Sequence, residues 1–263
     1  MRKNFYVVGN LKMNLLSREE ATQYISLFQR ELQGKRFERV KGIVCPPFLY
    51  LSQFDNLPAS IQKGAQNFFP EKSGAYTGEI SPLMLKNDGV EYVIVGHSER
   101  RRIACETDAM LHNKTLSALK HHLIPIVCVG ETDEERRADE TDRVLAEQVK
   151  IIFSSLSKLQ AGTVIVAYEP RWAIGTDRLP TTEELLQVRV LLLKLFTEMF
   201  DAQTAERIAV LYGGSVKSAF LPAVSFEARM DGVLVGRESL FPYELVKMMG
   251  VLEYEAERQE QER

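Results

Sequence analysis

Short apolar runs of strand length recur along the whole chain, and many of their residues are β-branched. The eight runs are FYVVG from residue 5, GIVC from 42, IQKGAQ from 61, YVIVG from 92, IPIVCVG from 124, TVIVAY from 163, IAVLY from 208 and DGVLVG from 231. Near-continuous apolar strands are typical of a parallel sheet that is covered on both faces. We therefore expect these runs to form parallel strands.

Helical patterns lie between most of these runs. The clearest is TTEELLQVRVLLLKLF, where Thr181 and Glu184 have the spacing of a capping box and apolar residues recur on one face. Strands that alternate with helices in a chain of 263 residues predict the α/β class and a single closed (β/α)8 barrel. An open doubly wound sheet is the alternative, but no G-x-G-x-x-G sequence follows the first run.

We expect one domain over residues 1–252, because no linker, low-complexity tract or strong internal repeat divides the chain. The remaining segment, 253–263, reads EYEAERQEQER and is highly charged. Such a run of charges predicts a solvated or frayed helical end.

Composition limits the partners that the chain can have. The 33 Lys and Arg residues against 36 Asp and Glu residues give a formal charge of −3, so no overall basic field attracts nucleic acid. The three cysteines lack C-x-x-C spacing, which argues against a disulfide framework or a zinc site. The first apolar run is too short for a signal-peptide core, and no segment reaches membrane-spanning length. We expect a cytoplasmic protein with no nucleic-acid or membrane partner.

Polar residues follow three of the predicted strands, and in a (β/α)8 barrel such positions meet at one rim. Asn10 and Lys12 follow the first run. His97 and Glu99 follow the fourth, and Glu169 ends the sixth. A lysine, a histidine and a carboxylate at three strand ends can serve as electrophile, acid and base. Taken singly, each has a plainer interpretation, as a surface lysine, a core histidine or a solvated loop charge.

Several segments occur in an order that resembles the triosephosphate isomerase family over nearly the whole chain. They are GNLKMN from residue 9, GAQN from 64, GAYTGEISP from 74, VGHSERR from 95, CVGET from 128, AYEPRWAIGT from 167, LYGGSV from 211 and DGVLVG from 231. The resemblance implies an enzyme of glycolysis and gluconeogenesis that interconverts dihydroxyacetone phosphate and D-glyceraldehyde 3-phosphate. It also implies proton transfer through an enediolate without a metal or another cofactor.

The same resemblance assigns roles at the rim. Glu169 would move a proton between two neighbouring substrate carbons, while His97 would polarise the carbonyl group and shuttle protons between the two oxygens. Lys12 and Asn10 would stabilise the enediolate, and Glu99 would orient Lys12. The letters SERRR after His97 predict a short helix, whose N-terminus disfavours an imidazolium.

A phosphate site and a mobile lid are also implied by the resemblance. The phosphate would bind the backbone N–H groups of Gly175, Ser215, Gly236 and Arg237, where glycines allow close approach to an anion. The lid would consist of Pro170, Arg171, Trp172, Ala173, Ile174, Gly175 and Thr176. Its closure would exclude water from the base and protect the enediolate.

The chain departs from the usual family pattern at several rim positions. Leu11 replaces a tryptophan, Arg171 stands where a small or apolar residue is usual, and Asp177 replaces a glycine. RLP at 178–180 is an uncommon second hinge, and Arg237 replaces the second glycine of the phosphate turn. A related isomerase of a longer phosphosugar, such as a tetrulose phosphate, is therefore the alternative function. A non-catalytic barrel is a third hypothesis, against which the intact acid and base candidates argue.

The stretch FFPEKSGAYTGEIS from residue 68 is long for a loop and carries aromatic residues. A self-packed surface loop is the plain interpretation. By the resemblance, this loop inserts into a second copy of the chain and brings Thr77 near the partner's Asn10 and the partner's Lys12. We therefore expect a homodimer.

Overall fold

The computed structural model describes residues 4–58, 60–173 and 178–261, and its eight parallel strands form a closed barrel in chain order. The strands are β1 (Phe5–Asn10), β2 (Val40–Cys45), β3 (Ile61–Ala65), β4 (Tyr92–Val95), β5 (Ile124–Val129), β6 (Ile165–Tyr168), β7 (Ala209–Gly214) and β8 (Gly232–Val235). Pairing of Tyr6 with Gly232 and of Gly9 with Val235 closes the barrel between β1 and β8. The predicted (β/α)8 barrel is confirmed, and the open sheet is excluded.

Helices surround the strands and connect most of them. They are α1 (Arg18–Leu32), α2 (Pro82–Asn87), α3 (Ser98–Ile103), α4 (Asp108–Lys120), α5 (Asp133–Arg137), α6 (Thr141–Ile152), α7 (Lys158–Ala161), α8 (Thr182–Met199), α9 (Ala202–Arg207) and α10 (Pro242–Gln261). Short 3₁₀ turns cover Phe48–Asn56, Ser218–Phe220 and Arg237–Leu240, and a π turn covers Ala223–Glu227. No helix in the described ranges is both long enough and apolar enough to cross a membrane.

Two layers of apolar side chains hold the barrel together. The inner layer fills the space enclosed by the strands and includes Val8, Ile43, Ile94 and Leu211, all of which are fully buried. The outer layer packs the other face of each strand against the helices. Both faces of every strand are covered, which explains why the strands are near-continuous apolar runs.

Helix α8 forms as its sequence pattern predicts. Thr181 caps the helix and exchanges hydrogen bonds with Glu184, so that the expected capping box is present. The predicted apolar stripe faces the barrel, and Leu185, Leu192 and Leu195 on it are buried. Local sequence was sufficient here because a cap and an amphipathic stripe both depend on residues within one element.

Helix α10 extends across residue 253, where the charged tail was expected to begin. The helix runs without a break over Pro242–Gln261, and Glu253 on it is buried. The Glu253 carboxylate accepts hydrogen bonds of 2.8–3.1 Å from the backbone N–H groups of residues 38–40, where β2 begins. Arg39 also pairs with Glu260. These charges are buried or paired because the tail packs on a segment that is distant in sequence.

Candidate active site

A cavity of about 830 Å³ opens at the carboxyl ends of the strands. It is lined by all five proposed catalytic residues and by the three proposed phosphate-binding residues that the structure describes. The cavity-lining residues from these two sets are Asn10, Lys12, His97, Glu99, Glu169, Ser215, Gly236 and Arg237. The closed barrel therefore brings together strand ends that are far apart in sequence.

Glu169 lies directly after β6 and is almost completely buried. Its backbone N–H donates to the carbonyl of Val129 at 2.7 Å, which continues the pairing with β5. Its Oε2 accepts a hydrogen bond of 2.8 Å from the backbone N–H of Ser98, and its Oε1 lies 3.2 Å from His97 Nε2. Both carboxylate oxygens are therefore engaged with protein groups in this structure.

His97 is the N-cap residue of α3, the short helix that the sequence predicts at this point. Its Nδ1 accepts a hydrogen bond of 3.2 Å from the backbone N–H of Glu99. A ring nitrogen that accepts a hydrogen bond carries no proton, so this geometry assigns the proton of a neutral ring to Nε2. Nε2 faces Glu169 and the cavity, and it can donate a hydrogen bond to an oxygen there.

Lys12 is held in position by several contacts. It adopts a left-handed backbone conformation with φ of 53°, and its N–H donates to Asn10 Oδ1 at 3.0 Å. Its carbonyl accepts a hydrogen bond of 2.8 Å from Gln66, and its Nζ donates to Glu99 Oε1 at 2.7 Å. The contact with Glu99 is the one that the resemblance implies. Gln66 belongs to the GAQN segment but had no predicted role.

The charge state of Glu99 supports this ion pair. Partial burial alone would raise the pKa of Glu99, but the hydrogen bond from Lys12 and nearby positive charge outweigh it, so the pKa is lowered. The carboxylate is therefore ionised at neutral pH. Lys12 remains paired while its ammonium group faces the cavity.

The turn after β8 lies beside the ammonium group of Lys12. A Cβ atom at Gly236 would lie 3.0 Å from Lys12 Cε and 3.3 Å from Lys12 Nζ, so a side chain at position 236 would crowd the lysine. Ser239 joins this turn to β1, because its hydroxyl donates to the carbonyls of Asn10 at 3.1 Å and Gly236 at 2.6 Å. No sequence motif indicated that Ser239 would join this turn to β1.

Arg237 begins the 3₁₀ turn Arg237–Leu240 and is exposed at the cavity wall. It is not among the residues with positive φ. Replacement of a glycine by arginine at this position therefore causes no left-handed strain. The side chain is exposed and lines the cavity.

The described part of the predicted lid is its beginning, Pro170 to Ala173. A turn closes this segment, with the Ala173 N–H donating to the Pro170 carbonyl at 2.8 Å. The indole of Trp172 donates to Glu131 at 2.8 Å, and the hydroxyl of Tyr168 donates to the same carboxylate. The other lid positions, Ile174, Gly175 and Thr176, lie outside the described residues, as does the departure at Asp177.

Two glycines give Glu169 the space that it occupies. A Cβ atom at Gly130 would lie only 1.9 Å from the carbonyl oxygen of Glu169, and one at Gly213 would lie 2.7 Å from its Cγ. Neither position tolerates a side chain without a shift of Glu169. Both glycines belong to segments that resemble the family, but the resemblance did not indicate this packing function.

Cys128 lies under Glu169 at the end of β5. Burial, together with the negative charge of Glu169, raises the pKa of Cys128 well above its usual value, so the thiol stays protonated. Cys45 is also buried, and burial raises its pKa too. Among the described residues, no group of three or more His, Cys, Asp or Glu side chains is arranged to hold a metal ion.

Thr77 lies in the loop after β3, away from the cavity lining of its own chain. Residues 71–79 of this loop are all exposed. Within the loop, the Tyr76 ring packs on Phe69 with 4.4 Å between the ring centroids. The single chain therefore shows partial self-packing at the base of the loop and an exposed tip.

Fold and site together define a (β/α)8-barrel enzyme in which a carboxylate, an imidazole and an ammonium group face one cavity beside a glycine turn. A sequence model described as "Triosephosphate isomerase" matches residues 5–252. The chain belongs to the triosephosphate isomerase family.

Individual relatives match over most of their length. The triosephosphate isomerase of Dictyoglomus turgidum is 41% identical over 225 residues, which cover 85% of this chain and 90% of that protein. The triosephosphate isomerase of Thermoanaerobacter pseudethanolicus is 38% identical over 245 residues, 92% of this chain and 97% of that protein. That of Clostridium tetani is 38% identical over 236 residues, 89% of this chain and 91% of the relative.

Proposed function

We propose that this chain interconverts dihydroxyacetone phosphate and D-glyceraldehyde 3-phosphate, with Glu169 as the base. The observation that carries the proposal is the contact between Glu169 Oε1 and His97 Nε2, 3.2 Å apart at the edge of a cavity that also contains the Lys12 ammonium. A base and a proton donor so close together can act on a carbon and an oxygen of one small substrate.

The reaction follows from the positions of these groups. A substrate carbonyl oxygen replaces Glu169 as the acceptor of the Nε2 hydrogen bond, which frees the carboxylate. Glu169 then takes the proton from the neighbouring carbon, and the C–H electron pair forms the double bond of the enediolate while the carbonyl electrons move to oxygen. Return of the proton to the other carbon completes the isomerisation.

His97 handles the oxygens through a single nitrogen. Because Nδ1 is occupied by the Glu99 N–H, Nε2 both donates a proton to the first oxygen and recovers one from the second. The positive charge of Lys12, held by Glu99 and backed by Asn10, stabilises the negative charge that develops on the enediolate. No step in this scheme requires a cofactor.

The phosphate group would bind at the turns after β7 and β8. Ser215, Gly236 and Arg237 lie on the cavity wall there, and this part of a (β/α)8 barrel commonly binds phosphate through backbone N–H groups. Binding energy from the phosphate can then be used to move Glu169 from its resting partners. Gly175 of the lid is proposed as a further donor from the resemblance alone.

A direct comparison of substrates tests the proposal. Purified enzyme is assayed with the two triose phosphates and with a tetrulose phosphate, in buffer with and without a strong chelator. We expect kcat/KM to be highest for the triose phosphates and to be unchanged by the chelator. Nothing in the described part of the site favours the four-carbon substrate, and a higher kcat/KM for the tetrulose phosphate would refute the proposal.

We also propose a cytoplasmic homodimer. The exposed loop 71–79 supports dimer formation, as do the side chains of Met13 and Leu16, which are 90% and 79% exposed in the single chain. Light scattering should give twice the chain mass of 29.9 kDa. A replacement of Thr77 by Asp should weaken the dimer and lower activity together, whereas a fully active monomer would contradict this assembly.

A further inference from the structure

An ion pair joins the start of the predicted lid to helix α5. Arg171 Nη2 lies 3.5 Å from Glu135 Oε2, and the two side chains are 28% and 31% exposed. Arg171 is two residues from Glu169 and is separated from it only by the rigid Pro170. A movement of the segment that carries Glu169 therefore displaces Arg171 relative to α5.

Glu135 pairs with Arg171, and Glu131 and Asp108 also attract its guanidinium group. Arg101 is close enough to repel the Arg171 guanidinium, but Arg101 is itself fixed by Asp108 at 2.7 Å and by the carbonyl of Cys128 at 3.2 Å. Arg171 Nε is buried and has no hydrogen-bond partner in the described ranges. The ion pair with Glu135 thus holds a partly satisfied guanidinium that would gain hydrogen bonds if it moved outward.

The backbone around Arg171 is fixed in the same state. Its N–H donates to the carbonyl of Glu131 at 3.0 Å, next to the contact that Trp172 makes with the Glu131 carboxylate. In this state the Glu169 carboxylate is bound to the Ser98 N–H. The contacts of Arg171 and Trp172 occur in the same structure as the Ser98 bond. They therefore stabilise the position in which the Glu169 carboxylate is bound to Ser98.

We propose that Arg171 and Glu135 are a positioning pair, whose ion pair stabilises the Ser98-bonded position of Glu169 and so lowers the fraction of enzyme with a free base. The inference rests on the proposed role of Glu169. The pair raises the apparent KM, because apparent affinity falls with the fraction of the binding-competent state. A charge interaction of this exposure should change that fraction by about 2- to 5-fold.

Glu135→Gln is the cleanest variant for a test. Glu135 also completes the capping box of α5, with its Oε2 accepting the Thr132 N–H at 2.7 Å. Glutamine keeps an oxygen for that bond and removes only the charge. Arg171→Met removes the partner charge at similar length, Arg171→Lys retains it, and Glu147→Gln removes an equal charge from an exposed pair with Arg143 on α6.

The readouts are the Kd of 2-phosphoglycolate, a stable anion shaped like the enediolate, and the KM for triose phosphate. Glu135→Gln and Arg171→Met should each lower both constants by about 2- to 5-fold at low salt, with a smaller change in kcat. The double variant should match either single variant. Arg171→Lys and Glu147→Gln should match the wild type, and all differences should shrink at about 0.5 M salt.

The proposed positioning role would be refuted if the Kd of 2-phosphoglycolate were unchanged or higher in Glu135→Gln, or if the effects of the two single variants were fully additive in the double variant. It would also be refuted if Glu147→Gln changed Kd as much as Glu135→Gln does, or if the differences in Kd persisted at high salt. If Arg171→Met fails to fold, the Glu135→Gln result decides. Failure of the proposed role of Glu169 is recognised separately, because Glu169→Asp would then keep wild-type turnover whatever the Kd measurements give. Failure of the proposed substrate is recognised by the comparison of triose and tetrulose phosphates.

Discussion

The carboxylate of Glu169 accepts a 2.8 Å hydrogen bond from the backbone N–H of Ser98, the first residue of α3. The same helix has His97 as its N-cap residue. The proposed base and the proposed proton donor are thus anchored at one helix terminus. Substrate must compete with this arrangement, which makes catalysis sensitive to the length and direction of both side chains.

Shortening the base should therefore reduce turnover with little loss of fold. In Glu169→Asp the carboxylate is withdrawn by one methylene group, and a misplacement near 1 Å can cost about 10² in rate. We expect kcat to fall by roughly two to three orders of magnitude. Steady-state kinetics and thermal unfolding of the same preparation measure the two effects. Wild-type turnover in this variant would show that Glu169 is not the base.

Arg237 should contribute modestly to substrate affinity. Its φ is not positive, so Arg237→Gly relieves no left-handed strain and removes only an exposed guanidinium from the cavity wall. We expect KM to rise by about 2- to 5-fold at low salt and by less at high salt, because screening weakens a charge contact. A lower KM for triose phosphate would instead mean that the side chain obstructs the site.

The Lys12–Glu99 ion pair should make a small, pH-dependent contribution to stability. The pKa of Glu99 is lowered in the folded chain, since the hydrogen bond and charge of Lys12 outweigh the effect of burial. The contribution is fully present above the unfolded value of about 4.3 and is lost as pH falls through the lower folded pKa. At exposures of 28% and 38%, it amounts to roughly 0.2–1 kcal/mol.

Thermal unfolding of wild type and Glu99→Gln across this pH range measures that contribution. The wild type should be more stable at neutral pH, and the two midpoints should converge in acid. A difference that stays constant down to about pH 3 would show that the charge of Glu99 is not its source.

A second ion pair, away from the cavity, should matter far more for stability. Lys114 Nζ lies 2.7 Å from Glu106 Oε1, and the two side chains are only 6% and 2% exposed. Glu106→Gln would leave a buried ammonium without its counter-charge, at a cost of roughly 3–5 kcal/mol. The midpoint of thermal unfolding should fall by roughly 6–20 °C.

The exposed pair of Glu147 with Arg143 supplies the matched control. Glu147→Gln removes the same charge at the surface and should change the free energy of unfolding by less than about 0.5 kcal/mol. Equal effects of the two variants would mean that burial does not determine the strength of these pairs.

Sequence alone determined the barrel and the position of its rim. Three local patterns carried this prediction: the apolar runs, the capping box of α8 and the polar residues after the strands. Such patterns can be recognised in a sequence without knowledge of the fold. Once a closed barrel is assumed, strand ends share one edge, so Lys12, His97 and Glu169 could be predicted to meet.

Only the tertiary structure decided which side chains support that site. Ser239 and Tyr24 are 215 positions apart and share a hydrogen bond, and Glu131 holds Trp172 across 41 positions. Glu253 is buried for the same kind of reason, because it binds N–H groups at the start of a distant strand. These contacts follow no sequence period, since they arise when the barrel closes and places distant loops side by side.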